Sequence, residues 1–470
     1  MIDLPFANGK TYAILGLGKT GLSAGEALLK SGVQIVAWDD NQKSRAHAAT
    51  MGFTLQDLST FPLDGITALV ISPGIPTTFP APHPIAKRFL DLNIPVFCDV
   101  ELLLQAQSQA KIVGITGTNG KSTTTSLISH ILSENKIKNA VGGNLGQAVM
   151  TLPAMGSDGV YVLELSSYQL ELTPSLVCDV AVLLNITPDH LERHGGMPGY
   201  IAAKRLILRP GKKNQIFVIG IDDDITAKIA VEYMRKPSDK IIPISGQGTL
   251  VKVSDDIGFT LNRGTCVSDG FLYEDNSVVD NVSDIATLPG LHNAQNIAAA
   301  FTACRALGLA AEPIIAAIRT FPGLAHRQEI VEIDDGVTFI NDSKATNVDA
   351  AAKALVCYKP IYWIAGGKPK EGGFDGLNPY LPNVHHAFLI GEAAEAMAQW
   401  LDQQGTPYTI TETLPRAVQA AAHMAWQEDL DNAVVLLSPA AASFDQFPNF
   451  EARGDLFRDA VRALKVESGG

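Results

Sequence analysis

The chain has 470 residues, room for about three domains at roughly 150 residues apiece. Its 46% hydrophobic and 18% charged residues are those of a folded globular protein and exclude an intrinsically disordered one. A formal charge of -13 offers no cationic surface for nonspecific nucleic-acid binding, and five scattered cysteines without a CxxC pair exclude a disulfide framework or a zinc site.

The opening MIDLPFANGKTYAILG lacks a basic stretch followed by an apolar run and a cleavage site, and no later run reaches about 18 apolar residues. The expectation is a cytoplasmic protein without membrane insertion and without an obligate protein partner. Three blocks follow in which strand, loop and helix alternate, the pattern of a parallel sheet covered by helices. In the first, TYAILGLG reads as a strand, TGLSAGEALLKSG as a helix closed by Gly32, and VQIVAWDD and ALVISPG as further strands, ending near Pro95 to Asp99. The second begins at AKIVGITGTNGKSTTTSLISHILSENK, a strand running through a Gly-rich loop into a helix whose Leu127, Ile128, Ile131 and Leu132 share a face. GVYVLELSS and VAVLLNITPDH are two more strands, Val251 to Val282 suggests a hairpin insertion, and a helix runs from Asn293 to about Leu307. The third block, after Pro322-Gly323, has strands GVTFIND, IYWIAGG, AFLIG and AVVLLSP, each followed by a helical pattern. The fold class is therefore α/β in three domains, with boundaries at 1–98, 99–322 and 323–470. The outer two are Rossmann-like, and the central one is a parallel sheet of the P-loop ATPase kind.

Chemistry concentrates where these strands end. Gly117-Thr118-Asn119-Gly120-Lys121-Ser122-Thr123 closes a strand and opens a helix, so backbone N–H groups and the positive helix end face a bound phosphate. Lys121 would reach the outer phosphate oxygens and Ser122 a magnesium ion. From Gly114 there are five residues, not four, before Gly120-Lys121, so the match to the standard P-loop spacing is not strict. Glu164 ends VYVLEL and His190 follows VAVLLN, which puts both at the same sheet edge as this loop, where ligands of open α/β sheets bind. A carboxylate and an imidazole there could serve magnesium directly or through water. Lys204, read alone, is an ordinary solvated lysine. Gly16-Leu17-Gly18-Lys19-Thr20-Gly21, with Asp39 at the next strand end, fits a dinucleotide-type phosphate turn but does not say which nucleotide is held. Asn293 and Asn296 share one helix face and could read a base or fix a neighbouring loop. Arg327, Asp342, Lys344 and Lys370 lie at or near loops of the third block. An oxidoreductase built on Gly16 to Gly21 would leave GTNGKST, Glu164 and His190 without a role, and a nucleotide sensor would not need Lys204 beside acidic groups.

GITGTNGKST, ELSSYQLE, NITPDH followed by YIAAK, PGLHNAQN, GLAHR and INDSKATN occur in this order in the Mur ligases, which the chain resembles over nearly its whole length. GLGKTGLS, SPGI at Ser72 to Ile75 and LLSPAAASFDQFPNFEARGDLF resemble the branch that adds D-glutamate, and no DNPR segment is present. The resemblance implies ATP held by Gly117 to Thr123, with Asn293 and Asn296 near its base and Arg327 and Asp342 reaching it from the third domain. It also implies magnesium, as two ions, served by Ser122, Glu164 and His190, with Lys204 carbamylated by carbon dioxide into a carboxylate-like ligand. UDP-N-acetylmuramoyl-L-alanine would lie against Lys19, Thr20, Asp39, Ser72 and Asn144. D-Glutamate would lie against Thr346, Lys370, Ser443 and Phe450, with Lys368 as the alternative to Lys370.

Overall fold

The computed structural model describes residues 2–235, 240–248, 263–369 and 372–468. The chain forms two compact units, Met1–Asp284 with Asn293–Thr320, and Ile285–His292 with Phe321–Gly470.

In the first unit, strands β1 (Thr11–Leu15), β2 (Gln34–Trp38), β3 (Ile66–Ile71) and β4 (Val96–Phe97) make a parallel sheet of order β2-β1-β3-β4. The glycines after β1 have distinct tasks. Gly16 adopts φ +92°, and a Cβ there would strike the Ser72 side chain at 2.5 Å; a Cβ on Gly21 would lie 1.8 Å from the Gly16 carbonyl. Helix Lys19–Lys30 therefore seats directly on the turn, while the space at Gly18 stays open, as a diphosphate approach requires.

Among its described residues the same unit holds nine more strands: β5 (Lys111–Thr116), β6 (Asn139–Gly143), β7 (Val160–Glu164), β8 (Val180–Leu183), β9 (Ile216–Gly220), β10 (Lys240–Ser245), β11 (Thr265–Ser268), β12 (Phe271–Glu274) and β13 (Ser277–Asn281). Their order is β13-β12-β11-β10-β9-β8-β5-β7-β6, parallel from β6 to β11 and antiparallel beyond. β5 lies between β7 and β8, so the chain leaves it to opposite sides and opens a crevice at its C-terminal end. The helix leaving that end, Lys121–Glu134, buries Leu127, Ile128, Ile131 and Leu132, the face that the apolar spacing predicts. Part of the expected insertion, 251–262, lies outside the described residues; the rest contains the β11–β12 hairpin, which turns at the Ser268-Asp269-Gly270 signal.

The second unit has strands β14 (Glu329–Asp334), β15 (Val337–Asn341), β16 (Ile361–Gly366), β17 (Val384–Ile390), β18 (Tyr408–Glu412) and β19 (Val434–Leu437), in order β14-β15-β19-β16-β17-β18. Only β14 runs antiparallel. IYWIAG reads as one apolar run because both faces are covered: Ile361, Trp363 and Ala365 enter one core, Tyr362 and Ile364 the other. After β16 the chain makes a 3-10 segment, Asp375–Asn383, instead of an α-helix, since Pro379 and Pro382 remove backbone donors. No helix among the described residues is long and apolar enough to cross a membrane.

Candidate active site

The β5 loop is a nest of backbone conformations that other residues resist. Gly120 caps the helix at φ +82°, and a Cβ there would meet Asn296 Oδ1 at 2.3 Å. Thr118 N–H donates to the Asn185 carbonyl, and the Thr118 hydroxyl lies 3.1 Å from Tyr200 Oη. Two ammonium groups converge on one carbonyl: Lys204 Nζ donates to Gly117 O at 2.7 Å, and Lys121 Nζ donates to the same oxygen at 2.9 Å and to Thr118 O at 2.8 Å. Lys204 is buried, unlike the solvated lysine its sequence suggests. Burial first, and the Lys121 charge second, push its pKa down to about 7 against the opposing pull of Asp189 and Glu164.

Glu164 ends β7 in register with Ile115 of β5 and Gly143 of β6. Its Oε1 accepts from Asn144 Nδ2 at 2.7 Å, and its Oε2 is buried without a hydrogen-bond partner. A buried carboxylate oxygen left without a donor fits a cation ligand. His190 is exposed at a left-handed φ of 52°, its Nε2 3.5 Å from Asp189 Oδ2. Ser122 is buried in the first turn of the helix, and Thr123 half-buried beside it. Among the described residues no three His, Cys, Asp or Glu side chains gather as a metal cluster. Asn296 Nδ2 donates to Asn293 Oδ1 at 2.9 Å, and its Oδ1 accepts at 3.1 Å from the hydroxyl of Thr124 on helix Lys121–Glu134.

At the β1 edge, Asp39 accepts the Leu17 N–H at 2.6 Å, Ser72 Oγ donates to Gly16 O at 3.2 Å, and Lys19 Nζ reaches Gly146 O at 2.5 Å. Thr20 lies in the first turn of the helix. Lys19 and Asn144 thus bring the expected uridine residues to the loop after β6 and, through Asn144, to Glu164.

In the second unit, Asp342 is buried after β15, its Oδ2 accepting from Ser438 Oγ at 2.9 Å and its Oδ1 from Gln328 N–H at 3.2 Å. Arg327 lies in the segment just before β14, and its charge acts on the Asp342 carboxyl. Thr346, Ser443 and Phe450 follow β15 and β19, with Lys344 Nζ 4.9 Å from the Phe450 ring centre. Lys370 lies outside the described residues; Lys368 pairs with Ala442, next to Ser443, by two backbone hydrogen bonds.

Residues 115–304 match the Mur ligase middle domain, and 326–441 the Mur ligase, glutamate ligase domain. A UDP-N-acetylmuramoylalanine--D-glutamate ligase of Paramagnetospirillum magneticum is 49% identical over 473 residues, covering 100% of both chains. The chain belongs to the Mur ligase family. A second relative of this name, from Rhodospirillum rubrum, is 48% identical over 97% of this chain and 95% of its own. The fold is shared with MurF ligase from Thermotoga maritima in complex with ADP (TM-score 0.57, 17% identity, 98% of this chain and 100% of that one). It is shared equally with UDP-N-acetylmuramate-alanine ligase MurC of the same organism (TM-score 0.57, 16% identity, 97% and 99%).

In each unit of this Mur ligase a residue that sequence reasoning passed over holds these loops. Asn185 at the end of β8 accepts the Asn119 N–H at 2.8 Å and donates to Gln295 at 3.0 Å, which in turn donates to Asp222 at 2.8 Å. Its signal was a polar residue directly after the apolar run VAVLL. Arg453, fully buried on helix Phe450–Ser468, donates to the carbonyls of Ser343, Gly366 and Ala441 and so ties together the loops after β15, β16 and β19. No local pattern marks it.

Burial pushes the Asp342 pKa up to about 7 from its usual 3.8, outweighing the bonds from Ser438 and Gln328 and the charge of Arg327. In between, the folded carboxyl keeps a proton that the unfolded one has lost, so stability falls as pH rises through that window. We expect Asp342→Asn to remove part of this slope: from about pH 4 to pH 7 the urea midpoint of the wild type should fall relative to that of the variant. Parallel midpoints would show that the carboxyl is ionised throughout.

Proposed function

We infer that this Mur ligase joins the amine of D-glutamate to the carboxylate of UDP-N-acetylmuramoyl-L-alanine with consumption of ATP, through an acyl phosphate, in the cytoplasmic synthesis of peptidoglycan precursors. Relatives of that name match the chain from end to end. The observation that carries the chemistry is the convergence of Lys121 and Lys204 on the Gly117 carbonyl, with the charge of Glu164, whose Oε2 has no hydrogen-bond partner, acting on Lys204.

A carboxylate has no leaving group until ATP supplies one. In this reading the Gly117 to Thr123 loop and the positive end of helix Lys121–Glu134 hold the phosphates, and Lys121 neutralises charge on the transferred phosphoryl group. Glu164, His190 and Ser122 would hold magnesium, which would screen the charge of the phosphates. Lys204 is depressed enough to present a neutral amine near pH 7. That nitrogen can attack carbon dioxide and lose a proton, giving a carbamate, a carboxylate-like group that would join this ligand set. Lys19, Thr20, Asp39, Ser72 and Asn144 would take the uridine nucleotide. Thr346, Ser443, Phe450 and Lys368 or Lys370 would take D-glutamate, while Arg327 and Asp342 serve ATP. The division into 1–98 for the uridine substrate, 99–322 for ATP and 323–470 for the amino acid follows from these roles.

Phosphate release from ATP and magnesium tests the reading. It should require both UDP-N-acetylmuramoyl-L-alanine and D-glutamate; release without either, or with another amino acid in place of D-glutamate, sinks it.

A further inference from the structure

Arg193 closes the short 3-10 turn Leu191–Arg193 just after His190, and no role above uses it. Its Nη1 donates to the Phe79 carbonyl at 2.6 Å and its Nη2 to the Gly74 carbonyl at 3.5 Å. Both acceptors lie in the stretch that follows Ser72. The guanidinium also lies 4.9 Å from the Tyr168 ring centre. That ring stacks on His194 at 5.3 Å and meets His190 at 5.4 Å, and buried His194 is fixed by a 2.9 Å hydrogen bond to Ser167 Oγ. Gly195, at φ +66°, lets the Phe79 ring approach so closely that a Cβ would lie 2.7 Å from it. Residues 193–195 therefore grip the 74–79 segment from one side, while Tyr168 and His194 hold the His190 end of the same turn. All of them belong to the first unit.

We infer that Arg193 is a positioning residue that couples the uridine-nucleotide site at Ser72 to the metal-binding turn at His190. Substrate that orders the 72–79 segment fixes the two carbonyls to which Arg193 donates. Arg193 then holds the turn through Tyr168 and sets the direction of the His190 ring. Because coupling between two ligands is reciprocal, magnesium nucleotide must tighten the uridine substrate by the same factor. The inference rests on the functional reading above.

Calorimetric titration of the full chain tests it without turnover. UDP-N-acetylmuramoyl-L-alanine is titrated with and without magnesium and a non-hydrolysable ATP analogue, and the analogue with and without the substrate. For the wild type we expect each ligand to raise the affinity of the other about tenfold, the usual worth of hydrogen bonds from a charged donor. In Arg193→Ala the factor should fall to about one, with affinity for the analogue alone unchanged. Arg193→Lys keeps the charge but cannot span two carbonyls, and it should lose most of the coupling even if the alanine variant folds poorly. Coupling of wild-type size in a folded variant, or no coupling in the wild type, overturns the inference. A wild type that binds neither ligand overturns the functional reading first.

Discussion

Lys121→Ala should lower D-glutamate-dependent phosphate release by about a thousandfold, yet leave the melting temperature within about 3 °C of the wild type. The two effects separate because the side chain is half-buried and its nitrogen donates to the carbonyls of Gly117 and Thr118, which water can reach once it is gone. Phosphoryl transfer is almost entirely positioning and charge stabilisation, so losing the cation beside the phosphates costs most of the rate. Lys121 also helps to lower the Lys204 pKa. Removing it takes away a like charge, so the Lys204 amine should hold its proton to higher pH and react less readily with carbon dioxide. Lys121→Arg does not repair the site, because a planar fork replaces a point charge in a loop fitted to an ammonium. Activity within tenfold of the wild type in the alanine variant would show that the phosphates are held elsewhere.

Lys204→Ala should cost about a hundredfold or more in activity, and part of it should return on adding acetate or formate, which supply the missing carboxylate. The structure explains why a lysine can do this work. Burial and the neighbouring Lys121 bring the pKa down to about 7, and the amine donates to the Gly117 carbonyl of the proposed phosphate loop. The sign of the pH effect follows: below that value the amine is protonated and inert toward carbon dioxide, above it neutral and reactive. Wild-type activity should therefore rise through about pH 7, and it should fall when dissolved carbon dioxide is stripped at fixed pH. Full activity of the alanine variant without any added carboxylate would remove the carbamate from the mechanism.

The 3.6-residue spacing of Leu127, Ile128, Ile131 and Leu132 and the glycines before Lys121 made this strand–loop–helix legible. Each is a local signal, set by residues within one turn or one strand. The same holds for the Ser268-Asp269-Gly270 turn. The antiparallel edge strand Glu329–Asp334 escaped that reading because its residues are mostly half-buried, which blurs the alternation that marks a strand. The strands Asn139–Gly143, Ile216–Gly220 and Lys240–Ser245 were passed over as well, and the first of them is built largely from glycine and small residues.

By itself the sequence determined the class of fold, the residues at strand ends, and the family, because periodicity and turn chemistry are properties of short stretches of chain. Only tertiary structure decided that Lys204 is buried against Gly117, that Asn144 and Glu164 share a hydrogen bond, and that Arg193 reaches the carbonyls of Gly74 and Phe79. A pKa or a hydrogen bond depends on what distant segments bring to the same place, and a lysine on a helix carries no mark of which loop will exclude water from it.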